Sequence, residues 1–188
     1  MNSKFRRKGV AAVEFAILAP ILLTMLLSTF ELVRYVRARG LVTLSASTMA
    51  DIVSMQNVVT PGPNGTLRDY CRAIQFTTYP YVSTGITVAV SSYTKNGGVV
   101  AKDWENDTVC PTAASPITSV YVPASASYQT PLAAAATLLP NNTDSVIIVQ
   151  VTLPYTPLIL NVVKNMLPIS DTMVARPRTG SVSCTGTC

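Results

Sequence analysis

The sequence predicts an α+β protein: a long N-terminal transmembrane helix followed by a small head domain with a mainly antiparallel β-sheet. The first observation is an almost unbroken apolar stretch from Val10 to Phe30, which leads directly into a helical pattern. The second is a set of alternating, β-branched segments beyond residue 85, separated by turn residues. With 188 residues the chain is long enough for one anchored domain.

The apolar stretch is long enough to cross a bilayer. As a helix at about 1.5 Å per residue it would extend roughly 32 Å, close to the ~30 Å hydrocarbon thickness. Basic residues flank both of its ends, with a larger number on the N-terminal side, and the positive-inside rule therefore places the N-terminus in the cytoplasm. Since much of the net charge of +5 lies at these flanks, we expect contact with membrane lipid and none with nucleic acid. The flanking residues are Lys4, Arg6, Arg7 and Lys8 before the stretch, and Arg34, Arg37 and Arg39 after it.

The helix is expected to continue well past the membrane. Val42, Ala46, Met49 and Val53 repeat at helical spacing, which predicts one helix over 10–56, with a span at 10–30 and an amphipathic continuation at 31–56. A secretory signal peptide has a shorter apolar region, so an anchor is the better interpretation. Residues 1–9 then form a basic leader, 57–65 a turn-rich linker and 66–188 the head.

The head alternates short helices and strands. Residues 66–76 have helical spacing with Thr66 as the expected N-cap. Strands are predicted at 85–93 and 99–104, joined by the turn at 95–98, and a second pair at 145–155 and 169–175. A short helix is expected at 131–139.

Few residues offer catalytic chemistry. The chain has no histidine, which excludes Ser-His-Asp and Cys-His triads and removes the commonest transition-metal ligand. Asp103, Glu105 and Asp107 have a spacing reminiscent of a calcium loop, but the glycine and the distal glutamate of that loop are missing, so a solvated turn is favoured. We therefore expect no enzyme activity, no metal and no cofactor.

All four cysteines, Cys71, Cys110, Cys184 and Cys188, follow the span, as expected in an oxidising compartment. Three pairings are possible. We favour Cys71 with Cys110 and Cys184 with Cys188, because the last two lie in a Gly- and Ser-rich tail that can close a small loop. Free thiols remain the alternative.

The N-terminal sequence resembles a known family. A basic leader ends in Gly9, and Glu14 stands five positions later, before Phe15 and the long apolar helix, as at the processing site of type IV prepilins. More closely, Arg7-Lys8-Gly9-Val10-Ala11-Ala12-Val13-Glu14-Phe15-Ala16 with downstream Pro20 resembles the TadE-like minor pseudopilins of tight-adherence (Tad/Flp) pilus systems. Segments 151–158 and 175–178 are similar to stretches of that family.

The resemblance implies a structural role. A prepilin peptidase would cut between Gly9 and Val10, and the mature chain would prime, anchor or tip an adhesive pilus. Its partners would be other pilin and pseudopilin subunits, the peptidase and an inner-membrane assembly platform. The protein would lie in a bacterial inner membrane with a periplasmic head, or within an extracellular pilus, and Glu14 and Phe15 would serve in assembly.

Two alternatives stand beside this hypothesis. Glu14 alone is also explained by the helix dipole and by snorkelling to water near the interface. An uncleaved single-pass membrane protein, whose extracytoplasmic head binds an envelope partner or ligand, is the alternative function.

Overall fold

A computed structural model describes residues 3–79, 85–157, 168–186 and 188, with side chains from residue 11 onward. The chain divides into two compact units, and the second comprises Ala38–Tyr155 and Leu167–Cys188. The elements in chain order are α1 Ser3–Ser54, β1 Val58–Val59, α2 Thr66–Thr78, β2 Thr87–Asn96, β3 Val99–Asn106, β4 Val120–Val122, β5 Ser127–Gln129, α3 Pro131–Leu138, β6 Ser145–Leu153, β7 Ile169–Ala175 and β8 Ser183–Cys184.

Helix α1 is 52 residues long and contains Pro20. It begins at Ser3, whereas the sequence pattern predicted a start at Val10, so the leader is helical too. Lys and Arg are good helix formers, and one glycine inside a helix costs only about 1 kcal/mol, which explains the earlier start. The helix ends at Ser54, two residues before the predicted end, because Met55 and Gln56 donate to carbonyls only three residues back and tighten the last turn.

The head is built on a four-stranded sheet with the order β3-β2-β6-β7, in which each neighbouring pair is antiparallel. This sheet confirms the predicted α+β class. Gly97 and Gly98 both have positive φ and form the two-residue turn between β2 and β3. Strand β3 continues to Asn106, so Asp103 and Glu105 belong to a strand and not to the solvated turn expected from the sequence.

Both faces of this sheet are covered. On one face α3 and the β4–β5 hairpin complete an apolar cluster: Ala89, Tyr93, Ile117, Val120, Val122, Ala134, Ala135, Leu139, Val146 and Ile148. On the other face Val88, Val90 and Val151 are fully buried. Asp171 is opposite Val151 in the register and accepts a hydrogen bond from Thr43, so the C-terminal part of α1 lies along this second face. The apolar stripe predicted on α1 is buried accordingly: it consists of Val42, Ala46, Met49 and Val53.

The N-cap of α2 differs from the prediction. Gly65 occupies this position, and Thr66 is the first helical residue. The two threonines Thr60 and Thr66 exchange backbone-to-hydroxyl hydrogen bonds at 3.1 and 3.0 Å, so Thr60 takes the role expected of Thr66. A Cβ at Gly65 would lie 2.2 Å from the carbonyl oxygen of Thr60, which is why the approach requires glycine.

The C-terminal tail closes the head. Strand β8 pairs in parallel with β1, and Thr185 donates from its backbone to Val59 at 3.1 Å. Cys184 is bonded to Cys188 within the tail. Cys71 of α2 is bonded to Cys110, which follows β3, with a Cα–Cα distance of 5.4 Å. The Cys71–Cys110 disulfide thus links α2 to the segment after β3, whereas the Cys184–Cys188 disulfide closes a loop within the tail.

Candidate functional site

The exposed apolar surface of α1 is the main functional feature of the first unit. From Ala11 to Phe30 every residue is exposed except Ala19 and Leu27, which are intermediate. Phe15 is 70% exposed and Leu26 is 66% exposed. Within the described residues α1 is the one helix long and apolar enough to cross a membrane, with a mean hydropathy of 2.1 in its best window and 0% of that window buried. Such a surface needs lipid or other helices around it.

Hydroxyl groups inside this apolar segment are satisfied by the helix itself. Thr24 donates to the carbonyl of Ile21 at 2.8 Å, and Ser28 donates to the carbonyl of Thr24 at 2.7 Å. Thr29 bonds the carbonyl of Met25 in the same way. In hydrocarbon an unsatisfied polar group costs several kcal/mol, so these bonds make the segment compatible with a bilayer without help from a partner.

Glu14 is the one acidic side chain between Ala11 and Phe30, and it is exposed. Neither a hydrogen bond nor an ion pair to Glu14 occurs among the side chains that the structure describes. Phe15 follows it directly and is exposed as well. The structure therefore presents a carboxylate and an aromatic ring together on an outer surface of the helix.

Other residues of the predicted processing site are described only in part. The backbone of Gly9 and Val10 is helical, as is that of Lys4, Arg6, Arg7 and Lys8, while their side chains lie outside the described ones. The cleavage site and the membrane-surface leader stay predictions.

Sequence reasoning missed an ion pair with a buried carboxylate at the far end of the apolar segment. Glu31 is only 6% exposed, and its carboxylate lies 3.9 Å from the guanidinium of Arg34. Residues three apart on a helix face each other, so the i, i+3 spacing of opposite charges was the available signal. A partner of opposite charge lowers the free-energy cost of burying the carboxylate.

The acidic residues of β3 are used within the sheet. Asp103 is an extra residue opposite the step from Ser92 to Tyr93, and it accepts hydrogen bonds from Ser92 and Thr94. Glu105 accepts from Lys102 at 2.7 Å, and this bond raises the pKa of the lysine. Across the described ranges, no three His, Cys, Asp or Glu side chains come together as a metal-binding group.

A comparison with protein families assigns the N-terminal segment. Residues 9–51 match the family model described as TadE-like protein. The N-terminal helix is thus similar to the segment that this family model describes. The match begins at Gly9 and covers α1 apart from its first six and last three residues, which is less than a quarter of the chain. It relates the TadE-like segment to proteins associated with Tad pili, a family with structural roles.

No curated protein and no solved structure matches the chain.

Proposed function

We propose that this protein is a minor pseudopilin, cut by a prepilin peptidase between Gly9 and Val10 and assembled with other pilins to prime, anchor or tip an adhesive Tad/Flp pilus. One observation carries the proposal: the TadE-like match begins at Gly9, and an exposed apolar helix with a single acidic residue, Glu14, follows. In this role the chain has no catalytic activity of its own.

The proposed cleavage depends on the properties of Gly9. A peptidase cleft binds an extended backbone, whereas the backbone of Gly9 is helical in the free chain. Because glycine is less stable in a helix than alanine by about 1 kcal/mol, the helix unwinds more readily at this point. The basic leader is attracted to an anionic membrane surface by about 1 kcal/mol per residue, which holds the site at the cytoplasmic face of the inner membrane.

Assembly would use the new N-terminus. Cleavage leaves an α-amine on Val10, with an ordinary pKa of about 7.7 to 8.0. A carboxylate in a membrane span costs free energy, and pairing the amine of one subunit with Glu14 of its neighbour lowers that cost for both groups. Since the two groups have fixed positions on α1, the pair would also set the axial offset between neighbouring helices.

Intact-mass analysis of the membrane-extracted protein tests the cleavage. We expect loss of Met1 to Gly9, which leaves 188 − 9 = 179 residues. Gly9→Val should block processing because it adds a branched side chain where the peptidase requires close contact with the backbone. Gly40→Val is the matched control, since Gly40 lies on the same helix with open space around it and should leave processing unchanged.

Retention of residues 2–9 in the wild-type chain would contradict the proposal. That result would favour an uncleaved single-pass anchor whose head binds an envelope partner.

The proposed topology places the head in the periplasm and has a separate test. A membrane-impermeant maleimide, added to intact spheroplasts after mild reduction, should label Cys184 and Cys188 if the head lies outside the inner membrane. Labelling only after the spheroplasts are lysed would place the head in the cytoplasm.

A further inference from the structure

A groove runs along β7 on the head domain. Its volume is about 570 Å³. On one side it is lined by β7 from Asp171 to Ala175 and by Arg176, which follows β7, and on the other side by the β4–β5 hairpin. We call it the β7 groove. Its walls are mostly apolar, with contributions from Leu138, Val146 and Val174. This volume and character are typical of sites that take ligand side chains.

One wall of the β7 groove is the edge of a sheet. Strand β7 is last in the order β3-β2-β6-β7, and within the described ranges no strand pairs with its outer edge. The backbone N–H of Thr172 donates to the carboxylate of Asp171 at 2.9 Å, which shows that the even-numbered residues of β7 direct their amides away from β6. Val174 has the same orientation and lies in the groove, so its backbone groups are available to a further strand.

The opposite wall is aromatic. Tyr121 and Tyr128 are cross-strand partners in the hairpin, and their rings meet edge to face at 5.3 Å. They are 48% and 74% exposed. Tyrosine is enriched at protein interfaces because one end of the side chain is apolar and the other forms hydrogen bonds.

The groove has a positive end. Arg176 follows the last residue of β7, is exposed, and donates one hydrogen bond to the carbonyl of Leu138 at 2.6 Å. A guanidinium has five N–H donors, and among the described residues only one of those of Arg176 is used, so the others can bind a carboxylate. Asp171 lies five residues away, roughly 17 Å along the strand, and its oxygens already accept from Thr43 and Thr172. Charge complementarity therefore favours an acidic group next to Arg176.

We propose that the β7 groove binds an extended acidic and apolar segment of another polypeptide, which adds as a fifth strand beside Val174. Backbone hydrogen bonds to β7 supply affinity in this mode, and side-chain pockets supply selectivity. Alternate apolar side chains of the segment would contact Tyr121 and Tyr128, while its carboxylate would pair with Arg176. This inference goes beyond the proposed function and does not depend on cleavage at Gly9.

Selection from a random library of eight-residue peptides, displayed against the full chain in nanodiscs, tests the inference. We expect enriched peptides to carry apolar residues at alternate positions and an acidic residue at one end. Tyr128→Ala should weaken their binding at least tenfold in fluorescence anisotropy. Leu132→Ala is the control, because Leu132 is 49% exposed but lies outside the groove, and it should leave binding unchanged.

A charge reversal separates recognition from folding. Arg176→Glu should weaken the binding of the acidic peptides at least tenfold. The same variant should bind more tightly to peptides in which lysine replaces the acidic residue. The emission of Trp104 checks that each variant is folded. The proposal would be overturned if no peptide were enriched, or if Tyr128→Ala and Arg176→Glu left binding unchanged. Either result would leave the mass of the processed chain unaffected, so it would not bear on the proposed cleavage at Gly9.

Discussion

The indole nitrogen of Trp104 donates a hydrogen bond to the backbone carbonyl oxygen of Val182 at 2.7 Å. Trp104 lies on β3 and Val182 on the C-terminal tail, 78 positions later, and the indole is only 8% exposed. It is the single tryptophan of the chain, so its fluorescence reports directly on whether the tail is in place.

Removal of each disulfide should destabilise the head, and the loss of stability should differ between the two disulfides. Cys184 and Cys188 are 4 positions apart, and Cys71 and Cys110 are 39 apart. Chain-entropy estimates give about 2 kcal/mol for the short loop and about 4 kcal/mol for the long one. Urea unfolding of the two double serine variants, followed by Trp104 emission, measures both values. A larger cost for the Cys184–Cys188 pair would show that loop closure does not determine their contributions.

Thr43→Val should lower the free energy of unfolding by about 1.5 to 3 kcal/mol, because the hydroxyl of Thr43 donates to the carboxylate of Asp171. Thr48→Val is the matched control: Thr48 lies on the same helix, and its hydroxyl bonds only the carbonyl of Leu44. That variant should change stability by less than about 0.5 kcal/mol. Equal effects in denaturant titrations would mean that the contact between α1 and β7 contributes little.

Alkaline pH should destabilise the head through Tyr93. Burial raises the pKa of this tyrosine above 10.0, with a smaller contribution in the same direction from the charge of Glu105. The folded state thus holds the phenolic proton more tightly than the unfolded state does. The resulting stability is complete below pH 10 and is lost as the pH rises through the folded-state pKa.

Tyr93→Phe should therefore flatten the fall in stability above pH 10. Tyr128→Phe, at a position 74% exposed, provides the control. An unchanged alkaline slope in Tyr93→Phe, measured by urea titration at several pH values, would count against this explanation.

Glu14→Ala should reduce association with other pilin subunits while the leader is still removed. If the carboxylate pairs with a neighbouring N-terminus in a low-dielectric bundle, its loss costs about 3 kcal/mol or more, roughly 100-fold in association. Quantitative cross-linking in cells measures the change. Asp69→Ala, which removes an exposed carboxylate of α2, should have no effect. Normal cross-linking in Glu14→Ala would leave the helix dipole as the better account of this residue.

Local patterns were sufficient to predict most of the secondary structure. The α1 stripe, the hairpin at Gly97 and Gly98, and the strands at 145 and 169 depend on periodicity and turn chemistry within short windows. The pairing of β2 with β6 could not be read in this way, because nothing in either strand encodes a partner more than fifty residues away.

The candidate site was predictable to a similar degree. Glu14 and Phe15 stand out in an apolar run, and the structure places both on the exposed surface of α1. The burial of Glu31 was not visible in the sequence, because glutamate is usually exposed. Asp103 received two conflicting predictions, a strand at 99–104 and a solvated turn, because a β-bulge is one extra residue that interrupts the alternation of a strand.

The parallel pairing of β1 with β8 has a consequence for biosynthesis. Residues 58 and 59 find their partners only once residues 183 and 184 have been translated and, in the proposed topology, exported. In the proposed topology the N-terminal helix would thus reach the bilayer long before the domain behind it could close, and the unfinished domain would wait at the translocation channel. If the head is periplasmic, as proposed, chaperones of that compartment and its thiol-oxidising machinery would meet this intermediate first.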